Sequence, residues 1–443
     1  MFKFGRPEKY REIIAQGHAL YESAQYKAAL AAYDQALALK PDCHEALYAK
    51  GLALFNLGLY KSAVASYNQA LNLQPNNYRT WYSKGEALVE VGQYEFAIAA
   101  FDQAFALQPD YYPALLSKGA ALISLGKYEV AITIYNQALE INPNCPHTLM
   151  VKGMAMSISG QYEAAIDVFD RVLATKPDHH TAHYARGKAL FQSGQYEAAI
   201  LAFDQSIAIN PDDYEVLCKK GLALAILGQY EVAVTVFDQA LAIQPDCHEA
   251  LYSKGFALAG LEQYEAAITA IDQALIIQPN DHELLSSKGS MLATLEQYET
   301  AIAVYDQALA IQPNDHELLY RKGNALLHLG QREAALAVYD QVLAIKPDYY
   351  EAFMGKGDSL AHLGHYEVAL ATFDAASSLK PNFYGTPYSK ACCYSLQGDI
   401  EKVIPFLQVA IALEPECRTM AKTDTDFDPI RHDERFRALV EGE

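Results

Sequence analysis

At 443 residues the chain exceeds the length at which one hydrophobic core usually stops growing, so it is either several domains or an extended repeat. Apolar residues make up 51% and the formal charge is −20; there is ample material for burial, and an acidic surface repels polyanions, which argues against a nucleic-acid partner. The charge reads as a solvated outer face that keeps an apolar-rich chain in solution.

Residues 1–9 form an N-terminal extension, and the start, Met1-Phe2-Lys3-Phe4-Gly5-Arg6-Pro7, lacks the apolar stretch of a signal peptide. From Tyr10 a strict period sets in. Prolines recur every 34 residues from Pro41 through Pro75, Pro109 and Pro143 to Pro415, a glycine keeps the same register from Gly17 to Gly357, and an alanine follows twelve residues after each glycine. The spacing divides the chain into twelve units: 10–43, 44–77, 78–111, 112–145, 146–179, 180–213, 214–247, 248–281, 282–315, 316–349, 350–383 and 384–417. A period of this length marks a solenoid and overrides any division into globular domains.

Within a unit, apolar residues recur twice at helical spacing. In the second unit Leu47, Gly51 and Leu54 share one stripe, and Ala63, Tyr67, Ala70 and Leu71 share another, with Gly58 between them. The spacing predicts a helix, a short Gly-Gln-Tyr-type turn (Gly92-Gln93-Tyr94, Gly160-Gln161-Tyr162) and a second helix that closes at proline. The Asp or Asn after the proline (Asp42, Asn76, Asp110, Asn144) is expected to cap the next first helix. A mid-helix glycine such as Gly51 costs about 1 kcal/mol against alanine, so its recurrence implies a close approach in which a Cβ would collide. Tyr60 and Tyr67 are bulky enough to fill the space beside it. One hairpin cannot bury both of its apolar faces, so the units must stack. The expected fold is all-α: a right-handed superhelix of helical hairpins with an inner and an outer face.

The third unit carries the pattern in full: Trp81, Gly85, Leu88, Tyr94, Ala97, Phe101, Ala104 and Pro109. It resembles the tetratricopeptide repeat, and the resemblance runs from Tyr10 to Cys417. The resemblance implies that partners, extended peptides or helices, lie in a concave groove lined by the first helix of each hairpin. The twelfth unit departs from the pattern, with Ala391 for glycine, Ile400 for tyrosine and Pro405 inside its second helix, which is expected to bend or break there. Residues 418–443 read as a capping segment in which Phe427, Ile430, Phe436 and Leu439 cover the last open interface.

Eleven units place a basic residue directly before the glycine position (Lys50, Lys84, Lys118, Lys152, Arg186, Lys220, Lys254, Lys288, Lys322, Lys356, and Lys390 before Ala391), where the family more often has leucine. An acid or amide recurs in the second helix, from Asp34, Asn68 and Asp102 to Asp374. We expect a ladder of ammonium–carboxylate pairs between hairpins; the alternative is a basic stripe that grips an acidic peptide.

The groove is expected to be lined by Tyr48, Leu52 and Phe55, by Tyr82 and Glu86, by Leu116, by Met150 and Met154, and by Tyr184, Lys188 and Phe191. Leu222, Tyr252 and Phe256, then Tyr320, Arg321 and Asn324, continue it. Its N-terminal two-thirds is apolar and aromatic, a surface suited to a mainly hydrophobic segment, and the later part is more polar. Two groove chemistries of the family are not matched: only Arg321 and Asn324 echo the carboxylate clamp of the chaperone-binding members. Ser83, Ser117, Ala185, Ser253 and Ser287 stand where the sugar-transferase members carry an asparagine ladder.

Five of the thirteen histidines (His44, His180, His248, His282, His316) are repeat-phased, so duplication explains them better than metal ligation at, for example, His179 and His183. Seven cysteines, Cys43, Cys145, Cys218, Cys247, Cys392, Cys393 and Cys417, are scattered without a CxxC pair, which points to a reducing compartment. There is no phosphate-binding glycine loop, nucleophile elbow or metalloprotease motif, and no apolar run long enough to span a membrane. The expectation is a cytoplasmic, non-catalytic scaffold with protein or peptide partners, no nucleic acid, no direct membrane insertion, no cofactor and no metal. Alternatives are an assembly or maturation cofactor acting transiently on a larger membrane or pilus complex, and a regulatory subunit of an enzyme.

Overall fold

The computed structural model describes residues 6–442 and, among them, helices without strands. The chain divides into two compact units, Met1–Leu227 and Gly228–Glu443. The first carries thirteen α-helices, from Arg6–Glu22 to Tyr214–Ile226; the second carries thirteen more, from Tyr230–Ile243 to Glu434–Glu441, and one 3₁₀ helix, Thr425–Ile430. The expected extension at residues 1–9 is shortened by the first helix, which begins at Arg6; residues 1–5 lie outside the described residues.

The hairpins follow the period. In the second, His44–Asn56 and Tyr60–Leu73 are joined across Gly58, whose φ of 74° is a left-handed conformation open to glycine at little cost. A Cβ on Gly51 would lie 2.3 Å from the Tyr67 ring, which is fully buried against it. The recurring glycine therefore exists to admit the aromatic of its own hairpin's second helix. Gly85 stands in the same relation to Phe101, Gly187 to Phe203 and Gly357 to Phe373.

Two expectations need correction. The capping residue is one position later than the Asp or Asn predicted: Asn77, Asp213, Asp281 and Asp315 accept the backbone N–H of Thr80, Val216, Leu284 and Leu318. Asp42, Asp110 and Asn144 precede Cys43, Tyr111 and Cys145, N-cap residues that make no side-chain cap bond. Pro405 does not end its helix, which runs unbroken over Ile400–Leu413. The ring removes only the bond to the Glu401 carbonyl, while fully buried Val403, Leu407 and Ala410 hold the segment in place. At the C-terminus Phe427, Ile430 and Phe436 are buried as expected, half-buried Leu439 packs against the same cluster, and Val440 is buried beside them.

Candidate interaction face

Nine of the eleven basic residues are staples between hairpins. In the first unit Lys50, Lys118, Arg186 and Lys220 reach Asp34, Asp102, Asp170 and Asp204 at 2.7, 2.5, 2.6 and 2.6 Å. In the second unit Lys254, Lys288, Lys322, Lys356 and Lys390 reach Asp238, Asp272, Asp306, Asp340 and Asp374 at 2.5–2.6 Å. Each pair links a first helix to the second helix of the hairpin before it, and the basic side chain keeps only 12–29% of its surface exposed. The ladder is thus structural, and its cations do not form an open basic stripe. Two rungs differ: Asn68 and Asn136 stand sixteen residues before Lys84 and Lys152. Burial pushes both of these amines below the ordinary lysine range, with Arg171 adding to the effect at Lys152. Lys84 lies 4.7 Å over the Trp81 ring instead.

The first-helix surface is graded in depth. Tyr48, Tyr82, Tyr184, Tyr252 and Tyr320 are half-buried. Four of them lean on an aromatic of a second helix: Tyr48 on Tyr67 at 6.0 Å, Tyr82 on Phe101 at 5.7 Å, Tyr184 on Phe203 at 6.2 Å and Tyr320 on Tyr339 at 6.2 Å. Tyr252 packs edge-on against Phe256 at 4.7 Å. Leu52, Phe55, Glu86, Leu116, Phe191 and Leu222 are also half-buried, and Lys188 is exposed with its ammonium 5.4 Å over Tyr184. Met150 does not belong to this surface. It is buried in the cluster of Leu149, Phe169 and Val172, its flexible thioether chain filling space at a position where the equivalent tyrosines stay half-buried.

Met154 and Phe256, at 49% and 43% exposure, are the predicted residues that present most apolar surface. Ile158 and Ile226, at 55% and 49%, extend the same surface and were missed; their place four residues after Met154 and Leu222 would have shown them, since i and i+4 share a helix face. The polar members are tied within the chain. Tyr82 Oη donates to Glu86 Oε1 at 2.6 Å, Arg321 Nη1 donates to Ser290 Oγ at 2.6 Å, and Asn324 Oδ1 accepts from Tyr339 Oη at 2.7 Å. Burial raises the Glu86 carboxyl above the usual range, opposed in part by the Tyr82 bond. Arg321 and Asn324 therefore brace neighbouring side chains and do not form an open carboxylate clamp.

The histidines fall into structural roles. His183 Nε2 donates to the Pro177 carbonyl at 2.8 Å, the bond that Trp81 Nε1 makes to Pro75 at the equivalent position. His179 bonds Thr181. His248 and His282 lie 3.6 and 3.2 Å from Asp281 and Asp315 of the next hairpin. No helix among the described residues is long and apolar enough to cross a membrane.

Tandem hairpins of this kind, with glycine-admitted aromatics and stapled first helices, define an α-helical repeat protein. Tetratricopeptide-repeat models match residues 14–78, 82–146, 159–214, 218–282 and 257–316, and further ones match 292–357 and 350–383. The chain belongs to the tetratricopeptide repeat family, whose repeats typically serve as protein-interaction scaffolds. No curated protein matches it. Among solved structures it is similar to YrrB, described as a TPR protein with an unusual peptide-binding site, at 23% identity over 42% of this chain and 95% of that one, with a TM-score of 0.37. MamA from Desulfovibrio magneticus is 21% identical over 38% of this chain and 96% of its own, with a TM-score of 0.37. A tetratricopeptide repeat protein from Parabacteroides merdae is 17% identical over 57% and 99%, with a TM-score of 0.44.

Proposed function

We propose that this chain is a scaffold that binds an extended or helical segment of a partner protein on the first-helix face of residues 44–226, and that apolar side chains of the partner make the main contact. The observation that carries this reading is the exposure of Met154, Ile158 and Ile226 on first helices, in register with half-buried Leu52 and Leu222. The tyrosines beside them are held by aromatic neighbours, so their ordering costs little entropy on binding. Methionine adapts to varied partner shapes.

The test compares affinity capture by the wild type, by a Met154→Ser/Ile158→Ser/Ile226→Ser variant, and by a Phe96→Ser control. Phe96 is 66% exposed but stands on a second helix. The face variant is expected to lose the wild-type partner with unchanged helical content, and the control to retain it. Retention by the triple variant, or loss by the control alone, would sink the proposal.

A further inference from the structure

The C-terminal segment brings together side chains that the repeat pattern does not account for. Cys392 lies on the first helix of the twelfth hairpin, Gly385–Leu396. Asp424 caps the 3₁₀ helix Thr425–Ile430, and Asp426 stands in its first turn. One donor atom from each of the three lies within 4.8 Å of the others, and Cys392 Sγ is 3.8 Å from Asp424 Oδ2. Cys392 is nine-tenths buried and the two carboxylates are half-buried.

Both carboxylates are already oriented by other groups. Tyr388 Oη donates to Asp424 Oδ2 at 2.9 Å, the Asp426 N–H donates to Asp424 Oδ1 at 3.0 Å, and His362 Nε2 lies 3.0 Å from Asp426 Oδ1. Outer partners of this kind fix the ligands of a metal site. The charge balance points the same way. Among the described residues no lysine or arginine forms an ion pair with Asp424 or Asp426; a protonated His362 is the one cationic partner, on Asp426, and Arg431 bonds the Asp424 and Lys422 backbone carbonyls and the Asp428 carboxylate. Bonds of about 2.0–2.3 Å to a tetrahedral ion put its ligand atoms roughly 3.3–3.8 Å apart, and the Sγ–Oδ2 separation already falls there.

We propose that Cys392, Asp424 and Asp426 are the ligands of a divalent cation of the zinc class, with the fourth position left to water. A thiolate with two carboxylates suits zinc better than magnesium or calcium, which take oxygen alone. On binding, the Cys392 S–H bond breaks, its proton passes to solvent, and sulfur donates its electron pair to the cation; nothing is oxidised or reduced. The ion would tie the C-terminal segment to the twelfth hairpin.

Cobalt(II) titrated into the full-length, chelator-stripped protein tests this, because a cobalt–thiolate bond absorbs in the near ultraviolet. The expected result is one equivalent bound, one proton released per ion, and loss of the band when zinc is added. Cys392→Ser should abolish the band, and His362→Ala should keep it while weakening affinity by about tenfold or more. No band in the wild type, or an undiminished band in Cys392→Ser carried by another of the seven free cysteines, would overturn the proposal. If Cys392→Ser loses helical content, Asp426→Asn decides: the site requires at least a tenfold loss of cobalt affinity, and unchanged affinity excludes it.

Discussion

The first-helix face of residues 44–226 and that of residues 248–362 are carried by hairpins of the same kind and present different chemistry. The first shows Leu52, Met154, Ile158, Leu222 and Ile226; the second begins with Phe256 and then turns to Ser290, Arg321, Asn324 and Asp358. Beneath both, an aromatic packs against a glycine in nearly identical geometry: a Cβ on Gly187 would lie 2.5 Å from the Phe203 ring, and one on Gly357 would lie 2.4 Å from that of Phe373. Stability and recognition are therefore written in different positions of the repeat. One set of side chains is held uniform by packing, and the other is free to vary because it faces water.

The sharpest way to break this comparison is to hollow the interior at matched sites. Phe203→Ala and Phe373→Ala each remove a fully buried ring, and each is expected to cost about 3–5 kcal/mol. Urea unfolding followed by circular dichroism measures both. A difference above about 2 kcal/mol between them would show that the interiors are not equivalent. Because each hairpin contacts only its neighbours, the loss should also appear as local opening in hydrogen exchange before the rest of the chain unfolds.

Much of this interior was legible from the period alone, since glycine, alanine and aromatic positions are tied to one another through the backbone of a single hairpin. What the period hid depends on contacts across hairpins or on a shift of one residue. Asp42 and Asn76 looked like caps because they follow proline, yet the turn takes one residue more and gives the role to position 77 where it is Asn. Met150 matched the groove register, but its side chain is buried in the cluster of Leu149, Phe169 and Val172. The ladder was visible as a Lys–Asp periodicity, whereas the meeting of Cys392 with Asp424 depends on how the last segment folds back. Pro405 shows the converse, a strong local signal overridden by packing.

A second contrast concerns charge on the two faces. Glu86 has no cationic partner, and its carboxyl is raised, first by burial and then by Glu90. Glu351 is also penalised by burial, the largest single influence on it, but the bond from Lys380 Nζ at 2.7 Å, a backbone hydrogen bond and the charges of Lys380 and Lys346 together outweigh this and hold its carboxyl below the usual range. The signs are opposite. Ionising Glu86 costs stability as pH rises through its folded pKa, so Glu86→Gln should be more stable than wild type at pH 7, with the gap closing on acidification below the ordinary glutamate range. Ionised Glu351 stabilises above its unfolded pKa and loses that contribution as pH falls through its folded value. Glu351→Gln should therefore be less stable at pH 7 by about 0.2–1 kcal/mol, since the pair is partly exposed, and this gap should also close in acid. Denaturant midpoints across pH 3–8 read both, and a same-signed effect at neutral pH would defeat the contrast.

The smallest expected effect lies in the ladder, at one of the two rungs that lack their acid. Lys84 is partly buried, its amine is pushed down by burial, and it has an aromatic ring but no carboxylate for company. Asn68→Asp supplies the acid found at the equivalent rungs and should stabilise by about 0.3–0.5 kcal/mol at low salt, falling as salt screens the pair. Asp102→Asn, which removes the acid from Lys118, should cost a similar amount. A double-mutant cycle with Lys84→Met separates the new pair from any change in packing. A coupling energy indistinguishable from zero would mean that the ladder's short distances record how the hairpins stack without contributing to it. A favourable coupling that weakens with salt would make each rung an independent increment, added where a hairpin meets the one before it and therefore accumulating with the number of repeats.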